Sequence, residues 1–185
     1  YGSYDSSELA LGVNQALSTD ADPKHFARFD ISRTGGNGYM DRNERESTSM
    51  AFSILSDLTL DLSHTLALEY QEDQEDSPYW GSPLLRPVGD TMKIDKDRRF
   101  ENYNVADGRY EQRVHWLRSI LDYQINDSTS LQNTLYHYHG QRDYRNLENY
   151  TYNADNSLVS RSAALLQRHD QQVDGNRFEL RHDNQ

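Results

Sequence analysis

The segment Leu117-Arg118-Ser119-Ile120-Leu121-Asp122-Tyr123-Gln124-Ile125-Asn126 alternates apolar and polar residues along most of its length. Successive side chains of a β-strand point to opposite faces, so this alternation predicts a strand with one apolar and one polar face. The apolar face holds Leu117, Leu121, Tyr123 and Ile125, and the polar face holds Arg118, Asp122 and Gln124. Ile120 is the exception on the polar face, and the polar run at residues 126–130 predicts a tight turn.

The same period of two recurs along the whole chain and predicts seven strands and no helix. The apolar members of the other six patterns are Leu9, Leu11, Val13 and Leu17; Ala27, Phe29 and Ile31; Met50, Phe52 and Ile54; Leu66, Leu68 and Tyr70; Tyr136 and Tyr138, which oppose His137 and His139; and Phe178 and Leu180.

The connections between these strands alternate in length. Short polar turns are predicted at residues 19–24, 57–63 and 126–130, and long loops at 35–46, 77–110 and 146–165. Compact soluble domains rarely contain structureless loops longer than about 12–15 residues. Outer-membrane barrels pair short periplasmic turns with longer extracellular loops. This alternation of short and long connections therefore favours an antiparallel transmembrane β-barrel over a soluble sandwich.

The composition agrees with a protein that has one apolar surface and one surface in contact with water. Only 35% of the 185 residues are hydrophobic, yet 13 are Tyr, 5 are Phe and 2 are Trp. The net charge of −11 disfavours a nucleic-acid partner, and the absence of cysteine excludes disulfides and thiolate metal sites. The sequence contains no run of about eighteen apolar residues, which is the length that would predict a transmembrane helix.

The odd number of strands predicts that the chain is a piece of a larger barrel. An open sheet edge in lipid leaves backbone groups without hydrogen bonds, so a membrane barrel must close. Single-chain bacterial barrels also have an even number of strands. We therefore expect residues 1–185 to be part of a barrel domain whose other strands lie outside this sequence.

Five short motifs, in a consistent order and strand phase, make the chain resemble the TonB-dependent siderophore receptors. They are Tyr1-Gly2-Ser3-Tyr4-Asp5, Gly38-Tyr39-Met40-Asp41-Arg42, Pro78-Tyr79-Trp80-Gly81-Ser82-Pro83-Leu84, Asn102-Tyr103-Asn104 and Trp116-Leu117-Arg118-Ser119. The resemblance covers nearly the whole chain and places it at about barrel strands two to eight.

The resemblance implies a twenty-two-strand barrel in the outer membrane of a Gram-negative cell, in contact with lipid and lipopolysaccharide. It also implies a plug domain and a TonB box, neither of which is present here. The implied activity is uptake of a ferric siderophore, energised through the TonB complex, with no cofactor bound by the protein itself. The alternative is a soluble or secreted Tyr-rich β-sheet module that binds carbohydrate or protein.

The candidate ligand-binding residues are Tyr79, Trp80 and Arg86 in the longest loop, with Tyr103 and Tyr39 as further candidates. A siderophore already satisfies its iron, so the receptor needs flat surfaces and hydrogen-bond donors more than metal ligands. Tyr and Trp provide large rigid rings with a polar group, and Arg provides donors. The competing interpretation is an aromatic cluster that only packs the loops, or an interfacial girdle.

Two other polar groups suggest metal sites less strongly. His137 and His139 lie two apart on one strand face, but no third ligand is evident, so we interpret them as lining the lumen of the barrel. The acidic run at residues 71–76 lacks the spacing of a calcium loop, and a solvated rim is the better interpretation. No carboxylate pair, Ser/His/Asp set or phosphate loop predicts an enzyme.

Overall fold

The computed structural model describes residues 2–18 and 24–183, which form one antiparallel sheet of seven strands. The strands are β1 (Ser7–Ser18), β2 (Lys24–Gly36), β3 (Arg45–Asp57), β4 (Leu62–Asp76), β5 (Arg109–Asn126), β6 (Thr129–Tyr152) and β7 (Val159–His182). Each strand pairs with the next one in sequence. The predicted all-β class and the seven strands are confirmed. The described residues include no helix, and thus none that could cross a membrane.

Two predicted turns and two predicted long loops are confirmed, and one loop prediction is wrong. Short connections at residues 58–61 and 127–128 lie at one end of the sheet, here called the turn end. The connections 37–44 and 77–108 lie at the other end, the loop end. The loop expected at 146–165 is mostly strand, because β6 and β7 stay paired until Tyr152 meets Val159 and leave only residues 153–158 between them. The remaining predicted turn, at 19–24, falls largely outside the described residues.

The sheet is open. Within the described residues β1 pairs only with β2, and β7 pairs only with β6. A closed barrel is therefore not shown by this structure.

The cross-strand register sorts the side chains onto two faces. Phe29, Phe52, Leu68 and Leu117 lie opposite one another in one row of what we call the apolar face. The next row belongs to the polar face and holds Asp30, Ala51, Glu69, Trp116, Tyr138 and Val173. The apolar face is uncovered, as Leu9 at 74% and Phe178 at 67% exposure illustrate. Apart from prolines and glycines, only Met40, Tyr144 and Tyr152 of the described apolar residues are buried, and none of them lies on the apolar face.

The histidines of β6 lie on the other face from the one predicted. His137 pairs with Leu117 and therefore lies on the apolar face, whereas Tyr138 pairs with Trp116 on the polar face. The cause is a bulge in β5 between Gln124 and Asn126, which shifts the register of β5 against β6 by one residue. A shift of one residue exchanges the two faces of a strand. The prediction that His137 and His139 lie on the polar face, which underlay their interpretation as lumen-lining residues, is therefore wrong.

Most apolar residues of the apolar face form a band that crosses the strands diagonally. Followed from the turn end, the last apolar residues of β1 to β7 before the face becomes polar are Leu9, Ile31, Met50, Tyr70, Leu117, Leu135 and Phe178. Leu147 on β6 and Leu166 on β7 lie on the same face but farther toward the loop end, outside this band. Leu9 lies in the row of Arg33 on β2, whereas Phe178 lies in the row that contains His25 on β2. The border of the band thus descends toward the turn end from β1 to β7.

Candidate ligand-binding site

Two buried asparagines hold the long connection 77–108 in place. The side-chain nitrogen of Asn104 donates to the carbonyl of Pro78 (2.7 Å), and its oxygen accepts from the backbone N–H groups of Val105 (2.8 Å) and Leu147 (3.1 Å). Asn102 donates to the carbonyl of Ser77 (2.8 Å) and accepts from the backbone of Asn104 (2.9 Å). Buried polar groups are normally satisfied in this way. The connection is therefore fixed against the loop end of β6.

The neighbouring connections are joined to the same segment. A guanidinium nitrogen of Arg42 donates to the carbonyls of Asn102 (2.6 Å) and Asn104 (3.2 Å). The side chain of Asn156 accepts from the backbone N–H of Arg86 (2.7 Å) and donates to its carbonyl (2.8 Å). All three connections at the loop end are thus linked by direct hydrogen bonds.

A cluster of tyrosines lies between the long connection and the outer part of β6. The ring centroids of Tyr79 and Tyr150 are 5.1 Å apart, and the hydroxyls of Tyr103 and Tyr152 are 3.2 Å apart. Burial raises the pKa of Tyr79 to about 12 and that of Tyr150 to about 12. Burial, followed by the contact with Tyr152, also raises the pKa of Tyr103. These phenols are therefore neutral at physiological pH.

Trp80 is oriented by one hydrogen bond and is otherwise open to solvent. Its indole nitrogen donates to the hydroxyl oxygen of Tyr144 at 2.8 Å, while the residue is 67% exposed. The same hydroxyl oxygen accepts from Asn146 (2.6 Å) and donates to Glu148 (3.4 Å). An exposed indole in a fixed orientation is well suited to contact a flat ligand.

A cavity of about 430 Å³ opens beside these rings on the polar face, and we call it the outer cavity. Its walls include Tyr79, Trp80, Tyr110, Arg142, Tyr144 and Glu148. The guanidinium of Arg142 lies 5.3 Å from the ring centre of Tyr110, close enough for a cation–π contact. Among the described residues, neither Arg142 nor Glu148 forms an ion pair. The cavity thus combines aromatic walls with a guanidinium that donates to Gln112 (2.9 Å) and a carboxylate that accepts from the hydroxyl of Tyr144 (3.4 Å).

The five residues proposed from the sequence do not all meet at this cavity. Tyr79 and Trp80 line it. Tyr103 packs against Tyr150 and Tyr152 instead. Arg86 lies where the long connection meets residues 153–158. Tyr39 is 60% exposed and lines a separate cavity of about 400 Å³.

Sequence reasoning did not select four further residues of the outer cavity, namely Tyr110, Arg142, Tyr144 and Glu148. A usable signal was present on β6, where every one of its tyrosines has an even number: Tyr136, Tyr138, Tyr144, Tyr150 and Tyr152. Residues two apart share a strand face, so this spacing places an aromatic column on one face.

The polar groups considered for metals are engaged in other contacts. Glu72 pairs with Arg113 (2.7 Å) and Glu75 with Arg45 (2.8 Å), so the acidic run joins neighbouring strands. His137 contacts Asp174 at 2.6 Å. Within residues 2–18 and 24–183, no group of three or more His, Asp or Glu side chains could hold a metal ion.

No protein-family model, no curated protein and no solved structure matches this chain. The resemblance to TonB-dependent receptors therefore rests on the five sequence motifs alone.

Proposed function

We propose that this chain forms part of the wall and outer loops of an outer-membrane receptor for ferric siderophores. The diagonal border of the apolar band is the observation that carries the membrane part of this proposal. The rise along a strand is about 3.4 Å per residue, and neighbouring strands lie about 4.8 Å apart. With these spacings, the slope of the border across the sheet corresponds to strands tilted by roughly 40–45° from the membrane normal. Strands of membrane barrels are tilted by about 35–45°.

The uncovered apolar face supports the same placement. A soluble sheet would bury such a face against a second layer, and the described residues provide none. Lipid would cover this face in a membrane barrel, and the polar face would line the lumen. The soluble, Tyr-rich binding module remains the alternative and requires a layer from outside this chain.

The outer cavity supports a ligand with flat or apolar patches and polar oxygens. The coordination sphere of a ferric siderophore is already complete, so the lack of a metal-ligand set in its walls does not count against iron. The rings of Tyr79 and Trp80 offer surface, and Arg142 offers donors to oxygen atoms. The choice of a siderophore over another ligand, the energy supply through TonB and contact with lipopolysaccharide rest on the family resemblance.

The decisive experiment measures ligand binding by the complete receptor displayed on cells. We expect Trp80→Ala and Tyr79→Ala to weaken binding of the cognate complex roughly tenfold or more, because central aromatic contacts are commonly worth about 2 kcal/mol or more. The probes are iron(III) complexes of trihydroxamate and of tris-catecholate chelators. Tyr4→Ala is the matched control, because Tyr4 is an exposed tyrosine outside the outer cavity and is not one of the candidate ligand-binding residues.

Failure of the unsubstituted receptor to bind any of these complexes would overturn the siderophore assignment. If Tyr79→Ala and Trp80→Ala are displayed normally and bind the iron(III) complex with unchanged affinity, Tyr79 and Trp80 only pack the loops.

A further inference from the structure

Two tyrosines in the middle of β6 lie over glycines. Tyr136 pairs with Gly175 of β7, and a Cβ added to Gly175 would lie 2.2 Å from the ring of Tyr136. A Cβ added to Gly140 would lie 2.2 Å from the hydroxyl of Tyr138. Both tyrosine side chains therefore pass close to the backbone at these glycines, on the polar face of the sheet.

Trp116 of β5 completes this aromatic group. Its ring centroid is 4.8 Å from that of Tyr138 and 6.0 Å from that of Tyr136. All three side chains are only half-buried. We call Trp116, Tyr136 and Tyr138 the aromatic platform. It lies nearer the middle of the strands than the outer cavity does, on the same face.

Side chains that can contact a ligand connect the platform with the outer cavity. Tyr138 extends over Gly140, and Arg142 is the next residue of β6 on this face. Arg142 lies over the ring of Tyr110, whose centroid is 6.0 Å from that of Tyr144. Aromatic rings and one guanidinium thus follow each other from the cavity wall to the platform.

We propose that the aromatic platform is an inner subsite that receives the flat or apolar part of the same ligand after it leaves the outer cavity. This inference rests on the proposed function. A surface that contacts only water could be built from small side chains. The polar face of β3 is such a surface, because Ser49 and Ser53 flank Ala51 there. Gly175 and Gly140, the glycine seats of Tyr136 and Tyr138, instead bring two rings close to the backbone beside Trp116 and so create an aromatic surface that a ligand can contact.

The first test separates binding from uptake. In the complete receptor, the double variant Trp116→Leu with Tyr138→Leu keeps apolar bulk but removes two ring faces. We expect surface binding of the iron(III) complex to stay within about twofold, whereas the maximal uptake rate falls roughly fivefold or more. The matched double variant Trp116→Phe with Tyr138→Phe keeps the rings and should retain most of the uptake.

The outcomes distinguish the two proposals. If the receptor binds the complex and Trp80→Ala weakens that binding, but the leucine variant takes it up at the normal rate, the inner subsite is rejected and the function stands. If the phenylalanine and leucine variants lose uptake equally, the rings act only in packing. If the unsubstituted receptor binds no iron(III) complex, the proposed function itself fails.

A second measurement does not depend on large substitutions. Val173 pairs directly with Tyr138 and is 46% exposed, and this chain contains no cysteine. We expect maleimide labelling of Val173→Cys to slow markedly while the complex is being taken up. Ala10→Cys, on the same face of β1, should label at an unchanged rate. Equal labelling of Val173→Cys with and without the complex would overturn the inference.

Discussion

The side-chain oxygen of Asn104 accepts a hydrogen bond from the backbone N–H of Leu147 at 3.1 Å, although the two residues are 43 positions apart. Asn104 is 2% exposed, so this contact lies in the interior of the loop end. It joins the longest connection to β6, the strand that carries much of the outer cavity. The shape of the cavity therefore depends on a polar residue that does not line it.

Substitution of Asn104 should release the long connection. Asn104→Ala leaves the carbonyl of Pro78 and the N–H of Leu147 without their partner, and such groups cost about 1–3 kcal/mol each when they stay buried. We expect faster tryptic cleavage at Lys96, Arg98 and Arg99. Asn37→Ala, which removes an exposed hydrogen bond, is the control. Equal cleavage rates in the two variants would contradict this role of Asn104.

Removal of one hydroxyl should loosen Trp80. Tyr144→Phe deprives both the indole N–H of Trp80 and the buried side-chain nitrogen of Asn146 of an acceptor. We expect a loss of about 1–3 kcal/mol in the free energy of unfolding and a change in Trp80 emission. Tyr123→Phe, at an exposed position, serves as the control. The same small effect in both variants would show that the hydroxyl of Tyr144 contributes little.

The glycine seats predict a compensating pair of substitutions. Gly175→Ala places a methyl group against the Tyr136 ring and should cost about 1–3 kcal/mol, as overpacking usually does. In a Tyr136→Ala background the same substitution should cost much less, which a double-mutant cycle of unfolding free energies measures. Gly89→Ala, where the added methyl meets no atom within 4 Å, is the control. Additive effects of the two substitutions would argue against a direct seat.

The raised pKa of Tyr79 predicts a late tyrosine titration. In the unfolded chain tyrosine ionises near pH 10, whereas burial raises the pKa of Tyr79 to about 12. Its stabilising contribution is therefore complete below pH 10 and is lost as the pH rises through about 12. The tyrosinate absorbance of the protein minus that of Tyr79→Phe should show a midpoint near 12 when folded and near 10 in urea. A midpoint near 10 in the folded protein would contradict the burial.

The diagonal band predicts that substitution by arginine lowers the free energy of unfolding by different amounts at two positions of the same row. Phe52 and His137 lie in the same row, but Phe52 is inside the band and His137 is beyond its border. Phe52→Arg should cost about 2–4 kcal/mol in a lipid bilayer, and His137→Arg about 0–1 kcal/mol. Unfolding free energies in vesicles measure both. Equal costs would contradict the tilted placement.

The strands could be predicted from the sequence wherever the two faces differ strongly in polarity. Leu66, Leu68 and Tyr70 show this pattern, and the structure contains their strand. The outer parts of β6 and β7 could not be predicted in this way, because polar residues occupy both faces there, such as Asn146 and Asn149 on β6 and Ser160 and Arg161 on β7.

The candidate site was predictable only in part. Tyr79 and Trp80 stand out in a long polar loop, so their residue types alone indicated a role. Arg142 and Tyr144 reach the same cavity through the register of β6, which depends on the bulge beside residues 127–128. Hydropathy does not reveal a bulge, and tyrosine suits either face of a strand.

The reciprocal hydrogen bonds between Asn156 and Arg86 have a consequence for how such a surface can diversify. A chimaera that received residues 77–108 from a relative without residues 153–158 would lose the partner for both backbone groups at position 86. Exchange of the two segments together would preserve it. The two segments are therefore expected to be inherited as a single recombination unit, while changes around Gly89, where the surface is exposed and uncrowded, can accumulate independently.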